Sequence, residues 1–346
     1  MQCLLAQKFM KIKICLTILI AALVLLFCVA IGSVHIGVLD VFSILNHSIF
    51  GTPLPEHITP ANVATVWSLR LPRVLLAFTA GAALAVSGAV MQSILRNPLA
   101  SSYTLGVSSG ASLGAALVIF LGVSFPILTM MTLPILGFVF GLGTILAAVA
   151  IAQRIDNNME NHTIILTGMV FSLFINAITT LMFAFFRESM QRMVFWQLGS
   201  FSMRGWDTLA ILVPVALVGI IFISRYKWEM DIMTFGEEQA QSIGVSIKRV
   251  KWILLITSAA ITGSTIAFVG VIGFVDLVAP HIVRKIFGSA HKHVIPMSAV
   301  VGGTLMALCD LIARTIVAPI ELPVGAITAI IGAPFFAYVY FSKRKV

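Results

Sequence analysis

The feature that most constrains this chain is a succession of long apolar segments. They lie near residues 14–33, 71–92, 105–122, 130–152, 163–186, 209–224, 253–283, 295–318 and 323–341. A helix needs about 20 apolar residues to cross the hydrocarbon core of a bilayer. Only 10% of the residues are charged and 59% are apolar, which leaves too little polar surface for a water-soluble fold. The sequence therefore predicts an all-α integral membrane protein, with residues 1–346 forming a single transmembrane domain.

The number of spans follows from one long run and from the basic residues. The run 253–283 is long for one crossing, and it contains Gly270, Gly273 and Pro280, which can divide it in two. Both ends of the chain are basic, with Lys8, Lys11, Lys13, Lys343, Arg344 and Lys345. Because basic residues collect on the cytoplasmic side, we expect both termini to be cytoplasmic, and hence an even number of spans, ten.

The ten-span topology places sixteen of the 22 lysines and arginines inside. Six arginines remain outside, against the general bias, and they are Arg70, Arg73, Arg187, Arg192, Arg204 and Arg314. The basic residues are dispersed among loops rather than gathered with aromatics on one soluble face, so nucleic-acid binding is not expected. The net charge of +9 instead reflects topology.

One polar, helix-forming segment, TFGEEQAQSIGV at residues 234–245, stands between apolar runs. The topology places it in the largest inside loop, at about residues 231–252.

Breaks in the helices favour a transporter. Asn97-Pro98 follows the second span, and Gly332-Ala333-Pro334 is expected to interrupt the last one. Spans two to five and seven to ten would run in opposite senses, each group opening with a Gly-rich helix and a break. This pattern is a weak indication of an inverted repeat, an architecture of transporters. Glycines at close-packing spacing, such as Gly110 and Gly114, are typical of tightly packed spans.

Charges inside apolar runs need a partner or a role. Asp310 and Arg314 are four residues apart and can pair on one helix face, with Glu321 near enough to share the arginine, while Asp276 has no obvious partner. A structural and a functional reading of these charges stay equally open. An ion-coupled secondary transporter is therefore an alternative to be tested.

No catalytic, metal or nucleotide motif is evident. His281 lies at the predicted inner end of span eight, and His291 and His293 are placed in the following loop. The three lack metal-site spacing and are interpreted as satisfied or solvated side chains. His281 and Asp276 are five apart, about 140° around a helix, which disfavours an intramembrane enzyme. There is no GxxxxGK[ST] loop, so any ATP would be bound by another chain.

Several blocks in order nevertheless resemble one family, the FecCD-type permease subunits of type II ABC importers. The blocks are RLPR at 70–73, GAALAVSGAVMQ at 81–92, RNPLA at 96–100, LGVSSGAS at 105–112, GEEQAQSIGV at 236–245, APHIVR at 279–284, CDLIAR at 309–314 and ELPVGAITAIIGAPFF at 321–336. The resemblance runs from about residue 68 to 340. Two departures are Asp276, where a glycine is usual, and Ser101-Ser102, where similar permeases often carry an acidic residue with proline.

The resemblance implies a type II importer permease fold in the bacterial cytoplasmic membrane. It implies a homodimer or close heterodimer, two cytoplasmic ATPase subunits that bind ATP and Mg²⁺, and an extracytoplasmic substrate-binding protein. The chain itself would be no enzyme and would bind no cofactor or metal. The cargo would be a metal chelate of the iron-siderophore, haem or cobalamin class, with oxyanions such as molybdate left open.

The resemblance also implies roles for individual residues. The loop at about residues 231–252 would form coupling helices against the ATPase, through Gly236, Glu237, Ala240, Ile243, Gly244 and Val245. Arg70, Arg73 and Arg314 match positions that dock the binding protein, although Arg314 has Asp310 as a competing partner. The fifth span would line the pathway with Met169, Phe171, Phe174, Asn176 and Thr180, and for each of these ordinary bundle packing is an equally good interpretation.

Overall fold

The computed structural model describes residues 2–32, 34, 36–126 and 129–342. For residues 2–7 and 339–342 only the backbone is described. The basic residues Lys343, Arg344 and Lys345 of the predicted C-terminal tail lie outside this range.

The described chain is built from helices. In chain order they are α1 (Gln2–Ala30), α2 (Val38–Phe50), α3 (Pro60–Ala64), α4 (Leu71–Ile94), α5 (Val107–Leu121), α6 (Thr132–Ile155), α7 (Asn161–Phe185), α8 (Met190–Gln197), α9 (Trp206–Ser224), α10 (Lys227–Met233), α11 (Glu237–Ser242), α12 (Ile247–Val269), α13 (Val275–Phe287), α14 (His291–Thr315) and α15 (Val324–Ser342). A π-helical turn, Thr65–Arg70, joins α3 and α4 into one continuous helical segment.

Each predicted span coincides with a helix. Seven segments of the described residues are long and apolar enough to cross a membrane: Lys8–Ala30, Pro60–Ile94, Thr129–Ile155, Asn161–Phe185, Trp206–Ser224, Ile247–Val269 and His291–Thr315. The other three predicted spans correspond to the shorter helices α5, α13 and α15. The all-α membrane architecture is therefore confirmed.

The predicted division of the run 253–283 is also present. Helix α12 ends at Val269, and α13 begins only at Val275. Between them Gly270 and Phe274 have φ angles of 81° and 70°, which interrupt the helical path. Pro280, however, lies inside α13 and does not break it. We call residues 270–274 the helix break.

The two predicted four-span groups share a design. In the first, α4 is followed by an irregular stretch containing Asn97-Pro98 and then by the 15-residue α5. In the second, α12 is followed by the helix break and the 13-residue α13. Each group thus has a short second helix after a break, while their inverted relation stays a prediction.

The expectation that Gly332-Ala333-Pro334 interrupts the last span is wrong. Helix α15 runs from Val324 to Ser342 with Pro334 inside it. Gly332 is needed for another reason: a Cβ atom there would overlap the side chain of Phe274 at the helix break. The glycine permits close packing of α15 against the helix break.

Helix α4 is the centre of the bundle and is buried along almost its whole length. Gly81 lies so close to the backbone of Gly302 in α14 that either residue with a Cβ would overlap the other helix. Similar close approach brings Gly110 and Gly114 of α5 against the backbone of α6, so these glycines serve packing within the bundle.

The bundle has two chemically distinct ends. The first turn of α4 and the last turn of α14 carry Arg73 and Arg314, and we call this the arginine end. The opposite ends of the same helices lie beside residues 227–246, which we call the polar segment. At 1.5 Å per residue the 24 residues of α4 separate the two ends by about 36 Å.

Candidate functional site

The polar segment folds into two short helices, α10 and α11, that pack against the bundle. Met230 and Met233 of α10 and Ala240 of α11 are buried in the main hydrophobic core. The outward face is different, because Phe235 and Ile243 have exposed fractions of 79% and 69%. One face of the segment is thus held by the bundle, and the other is free to contact a partner.

A buried lysine fastens α11 to the first turns of α12. The Lys251 side chain has no exposed surface, and its Nζ lies 2.8 Å from Oε1 of Glu237. The same Nζ donates to the carbonyl oxygen of Met159, also at 2.8 Å. A buried ammonium group is costly unless it is paired and hydrogen-bonded, and here it is both. Lys251 therefore ties α11 and α12 to the α6–α7 connection.

Two glycines set the ends of α11. Gly236 precedes the helix with a φ of 137°, and Gly244 follows it with a φ of 97°, conformations that L side chains rarely adopt. A Cβ at Gly244 would meet no atom within 4 Å, so the backbone conformation alone requires the glycine there. The chain can then turn directly into α12 and keep α11 compact.

Beside α11 lies an open cleft of about 1510 Å³. Its walls come from three stretches: 95–98 after α4, 158–165 at the start of α7, and 235–249 of the polar segment and α12. Charged side chains of both signs line it, including Arg96, Glu160, Glu238 and Arg249. A partner with a polar, mixed-charge protrusion fits such a surface.

The α6–α7 connection forms a rigid wall of this cleft. The carboxylate of Asp156 accepts the backbone N–H groups of Glu160 at 2.6 Å and Asn158 at 2.9 Å. These two hydrogen bonds, from Glu160 and then Asn158, lower the pKa of Asp156. Met159, which accepts from Lys251, sits within the same turn with a φ of 55°.

The predicted coupling residues therefore lie together at one place. Glu237 and Ala240 hold α11 to the bundle, Gly236 and Gly244 bound it, Val245 is partly buried, and Ile243 is exposed. The sequence interpretation did not identify Lys251 as the buried anchor. The signal in the sequence is the position of Lys251, which falls among the buried positions of α12, such as Leu254.

The loop placement of His291 and His293 is wrong. Both belong to the first turn of α14, and His291 is buried, with an exposed fraction of 1%. Its Nδ1 lies 2.6 Å from Oδ1 of Asp231 in α10, so the expectation that it is a satisfied histidine is confirmed. His281 likewise contacts the ring of Phe335, with centroids 6.3 Å apart.

At the arginine end the three predicted docking residues do not form an exposed rim. Arg70 is 5% exposed and donates to the carbonyl oxygens of Ala30, at 2.7 Å, and Val34. Arg314 is 8% exposed and donates to the carbonyl oxygen of Cys28. Their guanidinium groups bind the backbone at the end of α1 and just beyond it, and the docking role of Arg70 and Arg314 stays a prediction.

Arg73 is the centre of an ion-pair cluster. Its Nη2 lies 2.8 Å from Oδ1 of Asp310, a fully buried carboxylate, and its Nη1 lies 2.8 Å from Oε1 of Glu321. Arg314 pairs with Asp310 across one helix turn at 3.7 Å, as the four-residue spacing predicts. Glu321 is shared with Arg73 rather than with Arg314.

The Glu321 side chain reaches the surface, with 38% of it exposed. Partial burial opposes its charge, but the hydrogen bond and the charge of Arg73 outweigh that effect and lower the pKa of Glu321. The pair Arg73–Glu321 is therefore the part of the cluster that a partner can reach.

The five predicted pathway residues lie on α7. Met169, Phe174, Asn176 and Thr180 are exposed on its surface, and Phe171 is half-buried. Neighbouring exposed residues, such as Leu173, make this a broad apolar face. The face is available to cargo, lipid or a second subunit, and its role stays a prediction.

Asp276 lies in the first turn of α13 and is 3% exposed. Its two carboxylate oxygens are buried without a hydrogen-bond partner among the described residues, and the Ser101 hydroxyl and the amides of its own turn are the groups that favour its charged form. Gly88 of α4 lies directly against its carbonyl group. Its side chain thus sits where α4, α13 and the 97–106 stretch meet.

Across the described residues, no group of three or more His, Cys, Asp or Glu side chains is arranged to hold a metal ion.

Comparison with known proteins identifies relatives over nearly the full length. Residues 18–342 match the FecCD transport family. The uncharacterised ABC transporter permease protein YvrB of Bacillus subtilis is 41% identical over 317 residues, which cover 92% of this chain and 90% of YvrB. The cobalamin import system permease protein BtuC of Halobacterium salinarum is 34% identical over 289 residues, covering 84% of this chain and 76% of BtuC.

A solved structure also has the same fold. It is described as an inward-facing conformation of a metal-chelate type ABC transporter, and it superposes with a TM-score of 0.82. The two sequences are 28% identical, and the match covers 97% of this chain and 99% of the other.

Proposed function

Since the chain belongs to the FecCD transport family of ABC importer permeases, we propose that it is the membrane subunit of an importer driven by two partner ATPases. Two copies would enclose the pathway, and an extracytoplasmic binding protein would deliver the cargo. The termini and the polar segment would face the cytoplasm of a bacterial cell, and residues 1–346 would act as a single permease domain.

The observation that supports this proposal best is the polar segment with its cleft. Its inner face is anchored by the Lys251–Glu237 pair, and its outer face presents Ile243 beside a cleft of about 1510 Å³. A firmly held helix transmits a push to the bundle, whereas a loop without such anchors would absorb it. We assign Gly236, Glu237, Ala240, Ile243, Gly244 and Val245 to ATPase coupling on this ground.

Reconstitution tests the proposal. The chain is assembled in liposomes with its ATPase and its binding protein, and uptake of the chelate that the purified binding protein retains is followed. We expect uptake to require ATP and to stop on addition of vanadate, which traps the ATPase. Uptake by the permease alone, unaffected by vanadate, would refute the proposal.

For the binding protein, the proposed contact is the arginine end, centred on Arg73. Only this arginine of the three is linked to a surface carboxylate, Glu321. A carboxylate on the binding protein can replace Glu321 without leaving Arg73 unpaired, because Asp310 remains 2.8 Å away. Arg70 and Arg314 would support the site by holding the end of α1.

The proposed cargo is a bulky metal chelate. The name of BtuC indicates cobalamin for that relative, and the structural neighbour is described as a metal-chelate transporter. The exposed apolar face of α7, with Met169, Phe171, Phe174, Asn176 and Thr180, suits the slow sliding of a large ligand over a weakly binding wall. Identification of the ligand that co-purifies with the binding protein is the direct test.

The ion pairs at the arginine end remove most of the support for the alternative function, an ion-coupled secondary transporter. Asp310, one of the intramembrane charges that suggested it, pairs with both Arg73 and Arg314. Such pairs hold the structure together and need no transported ion. Family membership points to the same conclusion.

A further inference from the structure

A second connection leads from the polar segment into the bundle through buried polar side chains. Asp231 of α10 accepts from the backbone N–H of His291 at 2.9 Å, and its Oδ1 lies 2.6 Å from Nδ1 of the same residue. His291 is the first residue of α14 and is buried. Through one carboxylate, α10 is thereby attached to the start of a long central helix.

The connection continues into α4. Nε2 of His291 lies 2.6 Å from the Ser93 hydroxyl. The Ser93 hydroxyl has one proton and lies near two acceptors, the carbonyl oxygen of Ala89 at 2.9 Å and Nε2 of a neutral His291 ring whose Nδ1–H is directed at Asp231. Ser93 is buried near the C-terminal end of α4, so this hydrogen bond joins α14 to α4.

From Ser93 the connection reaches both ends of α13. Arg284, in the last turn of α13, donates to the Ser93 hydroxyl and to the carbonyl oxygen of Ala89, each at 3.0 Å, and also to the side-chain oxygen of Gln92. The Gln92 amide in turn faces the carbonyl oxygens of Asp276 and Leu277 at 3.4 and 3.5 Å. These carbonyls belong to the first turn of α13, directly after the helix break.

We call Asp231, His291, Ser93, Arg284 and Gln92 the polar relay. Its members come from four helices that otherwise meet through apolar contacts, which tolerate small sliding movements. A buried hydrogen-bond network does not tolerate them, because each broken bond leaves a polar group unsatisfied at a cost of about 1–3 kcal/mol. Helix α10 therefore cannot shift without α14, α4 and α13 following or the network breaking.

We propose that the polar relay carries the displacement of α10 to the helix break, and that its members are positioning residues for coupling. The proposal rests on the proposed function, because α10 moves only if an ATPase pushes on the polar segment. Helix α13 spans about 20 Å, so a displacement of Arg284 at its C-terminal end moves its N-terminal end, where residues 270–274 precede the helix.

The test uses a reporter at the helix break. Gly273 is partly exposed and has open space for a side chain, so Gly273→Cys, with Cys3 and Cys15 replaced by serine, provides a labelling site. Cys28 and Cys309 are buried. The rate of N-ethylmaleimide labelling is measured in the complex with the partner ATPase, with and without ATP plus vanadate.

Three variants are compared in this background. Asp231→Ala removes the link to His291, whereas Asp231→Asn keeps an oxygen that accepts from the His291 ring and backbone. Thr234→Ala is the matched control, since its hydroxyl donates to the carbonyl oxygen of Asp231 within the same segment. ATP hydrolysis is recorded for each, so that loss of ATPase binding is distinguished from loss of transmission.

We expect Asp231→Ala to hydrolyse ATP but to reduce the ATP-dependent change in labelling at least about threefold, within the range of measured coupling residues. Asp231→Asn and Thr234→Ala keep the change. A full response in Asp231→Ala, or an equal loss in Asp231→Asn, would overturn the relay. If Asp231→Ala does not fold, Ser93→Ala cuts the network at a small buried residue, and the same outcomes apply.

Failure of the proposed function has a different signature. In that case the Gly273→Cys protein with an unaltered relay also shows no ATP-dependent change in labelling, and the relay proposal is refuted together with the proposed function. A response in the parent protein that persists in both Asp231→Ala and Ser93→Ala refutes the relay alone.

Discussion

The two ends of the bundle use buried charges in opposite ways. At the polar segment, Lys251 and Glu237 hold a helix whose other face stays open beside a wide cleft. At the arginine end, Arg70 and Arg314 are bonded to backbone carbonyls, and Arg73 is paired with Asp310. The comparison teaches that an arginine predicted outside, against the positive-inside rule, can stabilise the bundle itself as readily as it can bind a partner.

The largest effect is expected from Arg73→Met at the arginine end. This change leaves Asp310 fully buried with only Arg314, at 3.7 Å, as an ionic partner. We expect a loss of about 3 kcal/mol of stability, the lower part of the range for a broken buried pair. The midpoint of unfolding in detergent measures it. Glu321→Gln, on the exposed side of the same cluster, is the control and should cost less than about 1 kcal/mol.

Next in size is Lys251→Met at the polar segment. The change removes the anchor between α11, α12 and Met159, but Glu237 is partly exposed and can turn to water. We therefore expect about 1–2 kcal/mol of destabilisation and a clear drop in transport per ATP hydrolysed. An unchanged ratio of transport to hydrolysis in reconstituted liposomes would contradict the anchoring role.

A smaller effect on stability, but a large one on coupling, is expected at Gly244. Gly244→Trp places a bulky group beside the cleft, whereas Gly244→Ala isolates the backbone cost of the φ of 97°, about 1 kcal/mol. Of the two Gly244 variants, we expect only the tryptophan variant to uncouple hydrolysis from transport.

Glu237→Lys places a second ammonium group against Lys251 and should also uncouple hydrolysis from transport. Normal transport by both Gly244→Trp and Glu237→Lys would place the ATPase contact elsewhere.

The smallest effect is expected at Asp156. Since its folded-state pKa is lowered, its contribution to stability is present above its unfolded pKa and is lost as the pH falls through the folded value. Asp156→Asn at pH 7 should therefore resemble the acidified parent protein, with a slightly lower unfolding midpoint and unaltered ATP hydrolysis. A larger loss than in Lys251→Met would show that the α6–α7 turn, not the buried lysine, is the main anchor.

Much of the fold could be predicted from apolar run length alone. The spans and the division at Gly270 and Gly273 follow from local chemistry, because long apolar helices and helix-breaking glycines depend little on distant residues. The interruption expected at Pro334 was wrong, because a membrane helix can continue through a proline when neighbouring groups satisfy the freed backbone.

The sites were less accessible to sequence reasoning. The polar segment was recognisable from its composition, but its anchors, Lys251 and His291, depend on contacts from Met159 and Ser93, which are far apart in the chain. The burial of Arg70 likewise results from the backbone around the end of α1, about 40 residues earlier, which no pattern around RLPR reveals.

The central claim is that the polar segment receives an ATPase on the cytoplasmic side, and Ile243→Cys tests it most directly. The side chain is 69% exposed, so a cysteine there is open to reagents. With Cys3 and Cys15 replaced by serine, we predict labelling by a membrane-impermeant maleimide only in inside-out vesicles, and protection when the partner ATPase is bound. Labelling from outside intact cells, or labelling that the ATPase does not reduce, would contradict the account.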